Sequence, residues 1–346
     1  MTTTDDSGKR GPKPAFPLPP ADFDCLRSSP GELAKFGLPP RPDGDTQPLL
    51  LQAWTRLLQP PVTFVAPFAK KKAFALLRTP TMPRIVNLTR FEKSANWSGA
   101  EIVANSGNQF VQIFGEWTVP KPELPPPDEL GPSGQTNTYR CVTWIGVDGN
   151  RRYLNSSLPQ IGTEQDLTVD ANGNESRQYF AWFQWWALTE THIDRIQLPL
   201  TIEEGLPVMA MIWVVDPDHV VAAFRTFGAL NQITIMYEEA PLILTELGGT
   251  SLIRPTISGA TVEWIHERPL FHAKPSPFPK YSPVTFRNCV AGMAPAPGIP
   301  TSQQTLTAPR LFRMFDVPSD PPSRTRLTSM PTWIDETSVE ARYGGF

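Results

Sequence analysis

The sequence lacks the cysteine patterns that organise metal-binding and disulfide-rich proteins. Its 346 residues include three cysteines, Cys25, Cys141 and Cys289, which are far apart and form no CxxC pair. Closely spaced cysteine pairs hold structural zinc, and small secreted domains carry even numbers of cysteines in disulfides. The cysteines therefore argue against a zinc site and against a fold held together by disulfides.

Long apolar runs and an excess of charge of one sign are missing as well. The longest apolar run, VMAMIWVV (208–215), is far shorter than the ~20 residues that a transmembrane helix needs. The formal net charge is -3, from 31 basic and 34 acidic residues, whereas proteins that bind nucleic acid or anionic membranes carry strongly basic patches. We expect neither a nucleic-acid partner nor a membrane partner.

The common catalytic motifs are also absent. None of the four histidines has HExxH spacing, no GxSxG occurs, and no glycine-rich phosphate loop precedes a helix signal. These absences argue against metal-dependent hydrolysis, a serine triad and a bound cofactor. Acid–base catalysis by paired carboxyl groups stays open. The carboxylates on or near strand-like segments are Glu190, Glu238, Glu239 and Glu263.

Proline and aromatic residues are abundant instead, with 40 Pro, 19 Phe and 10 Trp. Proline breaks helices and aromatic side chains favour strands. From about residue 86, short strand-like runs alternate with turn residues, which is typical of a large antiparallel sandwich. Helix signals lie in 28–40 and 45–61. The sequence therefore predicts a partly helical N-terminal extension, 1–85, and a β domain, 86–346.

One strand-like segment carries a carboxylate where an apolar residue would pack better. In ATVEWIHERP (260–269), polar and apolar residues alternate, and Glu263 shares its side of the strand with Ile265. A glutamate in a half-buried strand is either paired, here with Arg268, or solvated, or placed for chemistry. The segment alone leaves all three interpretations open.

Seven short blocks follow one another along the chain. They are ANWSGAEI (95–102), FGEWTVP (114–120), TWIGVDG (143–149), LPQIG (158–162), YFAWFQWW (179–186), ATVEWIHERP (260–269) and VTFRN (284–288). Each block is weak by itself, but their ordered set resembles the glutamic peptidase (eqolisin) family over roughly residues 90–320.

The resemblance implies an all-β, concanavalin-like sandwich of two antiparallel sheets that hydrolyses peptide bonds at acid pH. By motif position, Gln160 and Glu263 match the family's catalytic pair. A glutamate can take a proton from the attacking water and return it to the leaving amine. A glutamine can stabilise the oxyanion without titrating, so no metal or cofactor is required.

Four further residues are expected to line or support the cleft. The resemblance implies this for Trp144 and Asp148, and it extends to Trp182 and Gln184 in the aromatic block. Structural roles are open for each of them. Buried tryptophans usually belong to the core, Asp before Gly is typical of a turn, and Gln160 itself lies in a turn-rich stretch where a surface position is the default.

The expected function is an acid endopeptidase that acts on polypeptides as a monomer. A non-catalytic sandwich module that binds carbohydrate or peptide is the alternative. A third reading is a glycosidase, which in its retaining form would need two carboxyl groups about 5–5.5 Å apart.

The sequence also bears on the cellular location of the protein and on the role of the N-terminal extension. The resemblance implies secretion, yet the N-terminus, MTTTDDSGKRGPKP, shows no signal peptide, which leaves a cytoplasmic location open. The 1–85 extension is a candidate prosegment, in which the basic run Lys70–Lys72 would mask an acidic cleft until acid protonates its carboxylates.

Overall fold

The structure of the chain is a computed structural model. It describes residues 16–67, 70–72, 91–149, 157–187, 195–241, 243–245, 251–271, 274–316 and 326–344.

Two α-helices lie in the N-terminal extension. Helix α1 (Pro30–Lys35) begins with a capping box, in which Ser29 and Glu32 satisfy each other's backbone N–H groups. Helix α2 (Pro48–Leu58) begins at a proline, whose fixed φ suits the first helical turn. A short 3-10 helix spans Pro127–Glu129. Both predicted helices are confirmed, and each is shorter than the segment that signalled it.

The strands make up most of the described chain. In chain order they are β1 (Thr63–Val65), β2 (Lys70–Lys72), β3 (Phe91–Ser94), β4 (Trp97–Val103), β5 (Gln109–Thr118), β6 (Pro122–Glu123), β7 (Asn137–Val147), β8 (Ser157–Val169), β9 (Glu175–Ala187), β10 (Arg195–Gln197), β11 (Pro207–Asp216), β12 (His219–Thr226), β13 (Gln232–Glu239), β14 (Ile243–Thr245), β15 (Ser251–Ile253), β16 (Thr261–Glu267), β17 (Leu270–Phe271), β18 (Lys274–Pro275), β19 (Lys280–Tyr281), β20 (Val284–Ala294), β21 (Ser302–Thr305), β22 (Arg310–Asp316), β23 (Arg326–Asp335) and β24 (Ser338–Tyr343).

These strands form two large, mostly antiparallel sheets. The back sheet runs β1-β13-β12-β11-β5-β20-β21. The front sheet runs β2-β10-β9-β8-β7-β16-β4-β22, and β3, β23 and β24 continue from β22. Strand β20 joins the sheets, because its first residues pair with β24 and its later ones with β5 and β21. The predicted two-sheet antiparallel sandwich is confirmed.

Alternation along the strands divides the apolar side chains into three layers. Between the sheets, Val262 and Trp264 of β16 belong to the main core. Helix α2 covers the outer side of the back sheet, where Trp54 and Leu57 join a cluster with Met211. A third, smaller cluster lies on the outer face of the front sheet; its members are Val142, Trp144, Leu158, Phe180, Trp182, Ile265 and Phe312.

A buried arginine ties the extension to the sandwich. The guanidinium of Arg225 in β12 is 2% exposed and donates to the carbonyl oxygens of Arg56, Leu57 and Gln59 at the end of α2. A cation suits the unsatisfied carbonyls of a helix C-terminus. The helices thus lie on the side of the molecule opposite the outer face of the front sheet. Strand β2, which contains Lys70–Lys72, pairs with β10 at the edge of the front sheet.

Most strand predictions agree with the structure, with two exceptions. The stretch around Gln160 was expected to be turn-rich, yet it belongs to β8, which has 13 residues. Its pairing with β7 and β9 on both sides outweighs the weak local propensity of Pro159 and Gly162. The hairpin β23–β24 was not predicted. The segment RIVNLT (84–89), which the sequence also predicts as a strand, lies outside the described residues, and the boundary at 85/86 stays a prediction. No helix of the described part is long and apolar enough to cross a membrane.

One histidine lies in the core, on the side of β16 opposite Glu263. His266 is completely buried, with Nδ1 3.0 Å from Thr143 Oγ1 and its ring 3.9 Å from that of Tyr281. Desolvation lowers the pKa of His266 to about 3. The imidazole is therefore neutral in the folded protein over most of the acid range.

We predict that this histidine makes the fold sensitive to acid. Because the folded pKa lies below the unfolded value of ~6.5, the stabilisation is complete above that pH and is lost as pH falls towards 3, by up to about 1.4 kcal/mol per pH unit. His266→Gln should flatten the dependence of the unfolding free energy on pH between 6.5 and 3, measured by urea denaturation.

His219→Gln is the matched control, since His219 is partly exposed and its neighbouring carboxylates raise its pKa. This control should keep the acid slope of the wild type. Equal slopes in both variants would contradict the assignment to His266.

Candidate active site

A row of polar side chains crosses the outer face of the front sheet. The strand register places Glu101 of β4 opposite Glu263 of β16, Glu263 opposite Gly146 of β7, Gly146 opposite Gln160 of β8, and Gln160 opposite Gln184 of β9. Residues directly opposite in a sheet share a face. Glu263 and Gln160, which lie far apart in sequence, are therefore on one face, separated by one strand or about 9–10 Å of backbone.

The strand between them carries a glycine at this point. A Cβ atom on Gly146 would lie 2.6 Å from Leu158 Cδ1 and 3.0 Å from Trp144 Cζ3. The side chains of Leu158 and Trp144 occupy the space above Gly146, so a larger residue at position 146 would displace them. Because Gly146 has no side chain, no residue of β7 projects between the side chains of Glu263 and Gln160 in this row.

Gln160 is oriented by the next residue in the row. It is 6% exposed, and its Nε2 donates to Gln184 Oε1 at 3.1 Å. Its Oε1 is buried and has no hydrogen-bond partner among the described residues. A buried carbonyl oxygen without a partner is costly unless a ligand or water supplies one. The expected surface position of Gln160 is thus not what the fold produces.

Glu263 is completely buried, and its carboxylate has one backbone donor. Oε1 accepts the N–H of Gly149 at 3.1 Å, while Oε2 has no partner within the described part of the chain. Gly149 packs tightly here, since a Cβ on it would lie 2.7 Å from Trp97 and 3.3 Å from the Glu263 carboxyl carbon. Arg268, considered above as a partner of Glu263, pairs with Asp316 instead.

The surroundings strongly favour the protonated form of Glu263. Burial is the largest cause that raises its pKa well above the usual value, and the nearby carboxylates of Glu101 and Asp148 raise it further. The Thr261 hydroxyl and the Gly149 N–H act in the opposite direction because both stabilise the carboxylate. A carboxyl group whose pKa is raised by burial and by neighbouring like charges is a typical candidate for acid–base catalysis.

Asp148 supports this arrangement from the turn after β7. Its carboxylate accepts the backbone N–H groups of Ser258, Gly259 and Ala260 and the hydroxyl of Ser258. Its φ of +69° lies in the left-handed region, which aspartate tolerates better than most residues. Every described contact of this carboxylate therefore fixes the entry to β16, the strand that carries Glu263. Substrate binding by Asp148 stays a prediction.

The two predicted tryptophans lie on the same face. Trp144 is fully buried and donates its Nε1 to Glu267 Oε2 at 2.7 Å, and its ring meets that of Trp97 edge-on at 5.2 Å. Trp182 has a buried Nε1 without a partner among the described residues, and the Arg195 guanidinium lies 4.5 Å from its ring centre. The face thus combines apolar walls with few polar groups, as ligand sites do.

A second polar row lies four residues along the strands from the first. It contains Glu267 of β16 and Glu164 of β8, which are separated by Val142 of β7. Glu164 pairs with Arg195. Glu267 accepts from Trp144 and from Asn96. Glu164 Oε1 has no hydrogen-bond partner among the described residues, but both oxygens of Glu267 are bonded, so this row has one such oxygen where the first row has two.

Sequence reasoning overlooked two residues of the first row. Glu101 is completely buried, and Arg310 of β22 donates from Nη1 to its Oε1 at 3.1 Å. A signal was present in WSGAEIV, where Glu101 shares its side of the strand with Trp97 and Gly99 just as Glu263 shares its side with Ile265. That the two glutamates face each other depends on strand pairing, which the sequence does not display.

One group of side chains has metal-ligand character. The oxygen atoms of Asp216 and Asp218 and the nitrogen of His219 lie within 4.8 Å of one another, in the β11–β12 turn of the back sheet. Nδ1 of His219 is already 2.8 Å from Asp216 Oδ1. Among the described residues this is the one such group, and it is not on the face that carries Glu263.

A sequence profile of the peptidase A4 family matches residues 95–308, which is more than half of the chain. Among curated proteins, none matches significantly.

Three solved structures are similar to this chain at low sequence identity. Scytalido-glutamic peptidase with a transition state analog inhibitor is 16% identical, over 72% of this chain and 98% of that one, with a TM-score of 0.48. SCP-B, an eqolisin in a complex with the tripeptide Ala-Ile-His, is 16% identical over the same shares, with a TM-score of 0.46. Aspergilloglutamic peptidase from Aspergillus niger is 16% identical, over 59% and 99%, with a TM-score of 0.44.

We predict that Asp148→Ala lowers the free energy of unfolding by about 3 kcal/mol, because several N–H donors lose a charged acceptor together. Asp148→Asn should cost less, since one acceptor oxygen remains. Chemical denaturation measures both. Asp170→Ala is the control, because Asp170 accepts similar N–H groups from Asn172 and Asn174 in an exposed turn, where water can replace the lost acceptor and the loss of stability should be much smaller. Equal losses at 148 and 170 would contradict the supporting role.

Proposed function

This chain belongs to the peptidase A4 family of glutamic peptidases, and we propose that it hydrolyses internal peptide bonds of polypeptides with Glu263 and Gln160 as the catalytic pair. The observation that carries the proposal is the shared row on the front sheet. Both residues are buried there on one face, and each has an oxygen atom without a partner in the described chain, Glu263 Oε2 and Gln160 Oε1.

Glu263 is the general base in the first step. Its Oε2 removes a proton from a water molecule while the water oxygen forms a bond to the carbonyl carbon of the substrate. The carboxyl group, now protonated, then gives this proton to the amide nitrogen as the C–N bond breaks. One group performs both transfers, and such positioned transfers contribute about 10²–10⁴ in rate.

Gln160 supplies the neutral polar contacts. An amide nitrogen carries two hydrogens. One is engaged by Gln184 Oε1, and the second donates to the oxyanion that forms on the substrate. The unpartnered Oε1 accepts a hydrogen bond from the attacking water and so orients it. Because an amide does not titrate in the working range, these contacts persist at any pH at which the protein is folded.

Access to Glu263 requires the residues that cover it to move. Gly149 packs between the Glu263 carboxylate and the Trp97 ring, and Leu158 packs over Gly146 between the two catalytic residues. We propose that a peptide enters by displacing Leu158 and the Gly149 backbone, in the manner of enzymes whose sites close over the substrate. The tryptophans of the same face then provide apolar contact for the side chains of the substrate.

The two alternative functions predict different geometry. A retaining glycosidase needs two carboxyl groups about 5–5.5 Å apart with the sugar between them, whereas Glu101, the carboxylate opposite Glu263, is engaged by Arg310. A carbohydrate- or peptide-binding module would bind without cleavage and would tolerate loss of Glu263. The monomeric state, the location and the masking role of Lys70–Lys72 stay predictions.

The central test replaces each catalytic residue. Glu263→Gln should lower kcat by about 10²–10⁴ because the base is lost, and Gln160→Ala should lower it by about 10²–10³ because an oxyanion donor is lost. The measurement is cleavage of internally quenched peptides and of an unfolded protein between pH 2 and 8. Glu203→Gln, in an exposed loop, is the control and should retain full activity. Wild-type rates in folded Glu263→Gln protein would refute the assignment.

Gln184 is expected to act by positioning Gln160. Gln184→Ala should lower kcat about tenfold with little change in KM, because a hydrogen bond worth about 1.4 kcal/mol no longer orients the amide. Gln184→Glu keeps an acceptor for Gln160 Nε2 and should restore most of the rate. A change confined to KM would instead assign Gln184 to substrate binding.

A further inference from the structure

Two buried carboxyl groups face each other in the candidate active site. Glu101 and Glu263 are directly opposite on the antiparallel strands β4 and β16, and both side chains are completely inaccessible to solvent. Directly opposite residues in a sheet have Cβ atoms about 4.5–5.5 Å apart. Two carboxylates at this separation, away from water, cannot both ionise cheaply, so one of them keeps its proton.

The surroundings decide which one keeps it. On the far side of Glu101, the register places Arg310 of β22 directly opposite, and its guanidinium donates to Glu101 at 3.1 Å. Across the sheet, the Arg310 guanidinium is therefore followed by the Glu101 carboxylate and then by the Glu263 carboxyl group. Glu101 has the cation as its neighbour, while Glu263 has one backbone N–H and an oxygen without a described partner. The ion pair favours the ionised form of Glu101.

The other groups that face Glu263 do not change this order. From the turn after β7 comes Asp148, a further carboxylate, whose contacts are with residues 258–260. From β7 and β8 come Gly146 and Gln160, which do not titrate. On its own strand the nearest residues of the same face are Ile265 and Thr261, a neutral residue whose hydroxyl lowers the pKa of Glu263 by less than Glu101 raises it. Farther along the face, Glu267 and the Glu164–Arg195 pair are held by their own partners.

We propose that Glu101, held ionised by Arg310, is a positioning residue that decides at which pH Glu263 releases its proton and so sets the lower pH boundary of peptide hydrolysis. This inference rests on the proposed function, because it takes Glu263 as the base. It assigns no contact with substrate to Glu101, which acts through Glu263 alone.

The consequence is a peptidase whose active range begins at a less acidic pH. A base must be ionised to accept a proton, and the charge on Glu101 delays ionisation of Glu263 until the pH is higher. After burial, Glu101 is the next cause that raises the pKa of Glu263. The neutral His266 in the core also favours less acidic conditions, because the fold weakens as that histidine gains a proton.

The test is Glu101→Gln, which removes the charge and keeps the shape and an acceptor for Arg310. The acidic limb of kcat/KM plotted against pH should move down by at least about one pH unit, which is about a tenfold gain in rate at a fixed pH below the wild-type limb. Arg310→Lys is the matched control, since the cation remains and the limb should stay in place.

A second variant covers the case in which Glu101→Gln folds poorly. Glu101→Leu with Arg310→Met replaces the ion pair by apolar groups, a change that buried pairs often tolerate. Its acidic limb should also move down. A limb that stays within about 0.3 pH units of the wild type in whichever variant folds would overturn the proposal.

A readout without catalysis separates this inference from the proposed function. Because the folded pKa of Glu263 is raised, the stabilisation is complete below its unfolded pKa and is lost as pH rises through the folded value. Glu101→Gln should reduce that loss above about pH 4.5, measured by urea denaturation. If Glu263→Gln is as active as wild type, the proposed function fails. If it is inactive but Glu101→Gln moves neither the limb nor the stability profile, this inference alone fails.

Discussion

The antiparallel register of five neighbouring strands is the constraint on which the site depends. Strands β4, β16, β7, β8 and β9 are paired so that Glu101, Glu263, Gln160 and Gln184 stand in one row around a glycine. Side chains alternate between the faces of a strand, so a slip of one residue in any pairing would turn that strand's polar group into the core. The apolar residues on the core side, such as Val262 and Trp264, fix the register because any shift would expose them to water.

Electrostatics gives the row its chemical character. Several carboxyl groups are buried on the front sheet, and the described structure gives Glu101 and Glu164 an ion pair but gives Glu263 none. Arg310 pairs with Glu101 and Arg195 pairs with Glu164, whereas Glu263 receives one backbone N–H. Burying an unpaired carboxylate is unfavourable, so the group keeps its proton instead. The fold thus raises the pKa of Glu263 at a cost in stability, and such perturbed carboxyl groups are concentrated at functional sites.

The sequence predicted much of the fold because the relevant signals are local. Alternating runs marked nearly all of the long strands, and Ser29, Pro30 and Pro48 marked the helix starts. Strand β8 was not predicted because its residues around Pro159 resemble a turn. It forms a strand because β7 and β9 pair with it on both sides. Glu263 and Gln160 could be named from their motifs, but Glu101 could not, since its importance comes from the residue that faces it across the strands.

The sequence by itself determined the fold class, the family and the identity of the two candidate catalytic residues, because each depends on residue types and their order along the chain. Tertiary structure decided which groups meet: that Gln184 holds the amide of Gln160, that Asp148 fastens residues 258–260, and that a second carboxyl group lies beside Glu263. The first contact joins the neighbouring strands β8 and β9, and the other two join segments more than 100 residues apart in the chain. The pKa of Glu263 depends on those neighbours and on the exclusion of water, and the order of residues along the chain specifies neither.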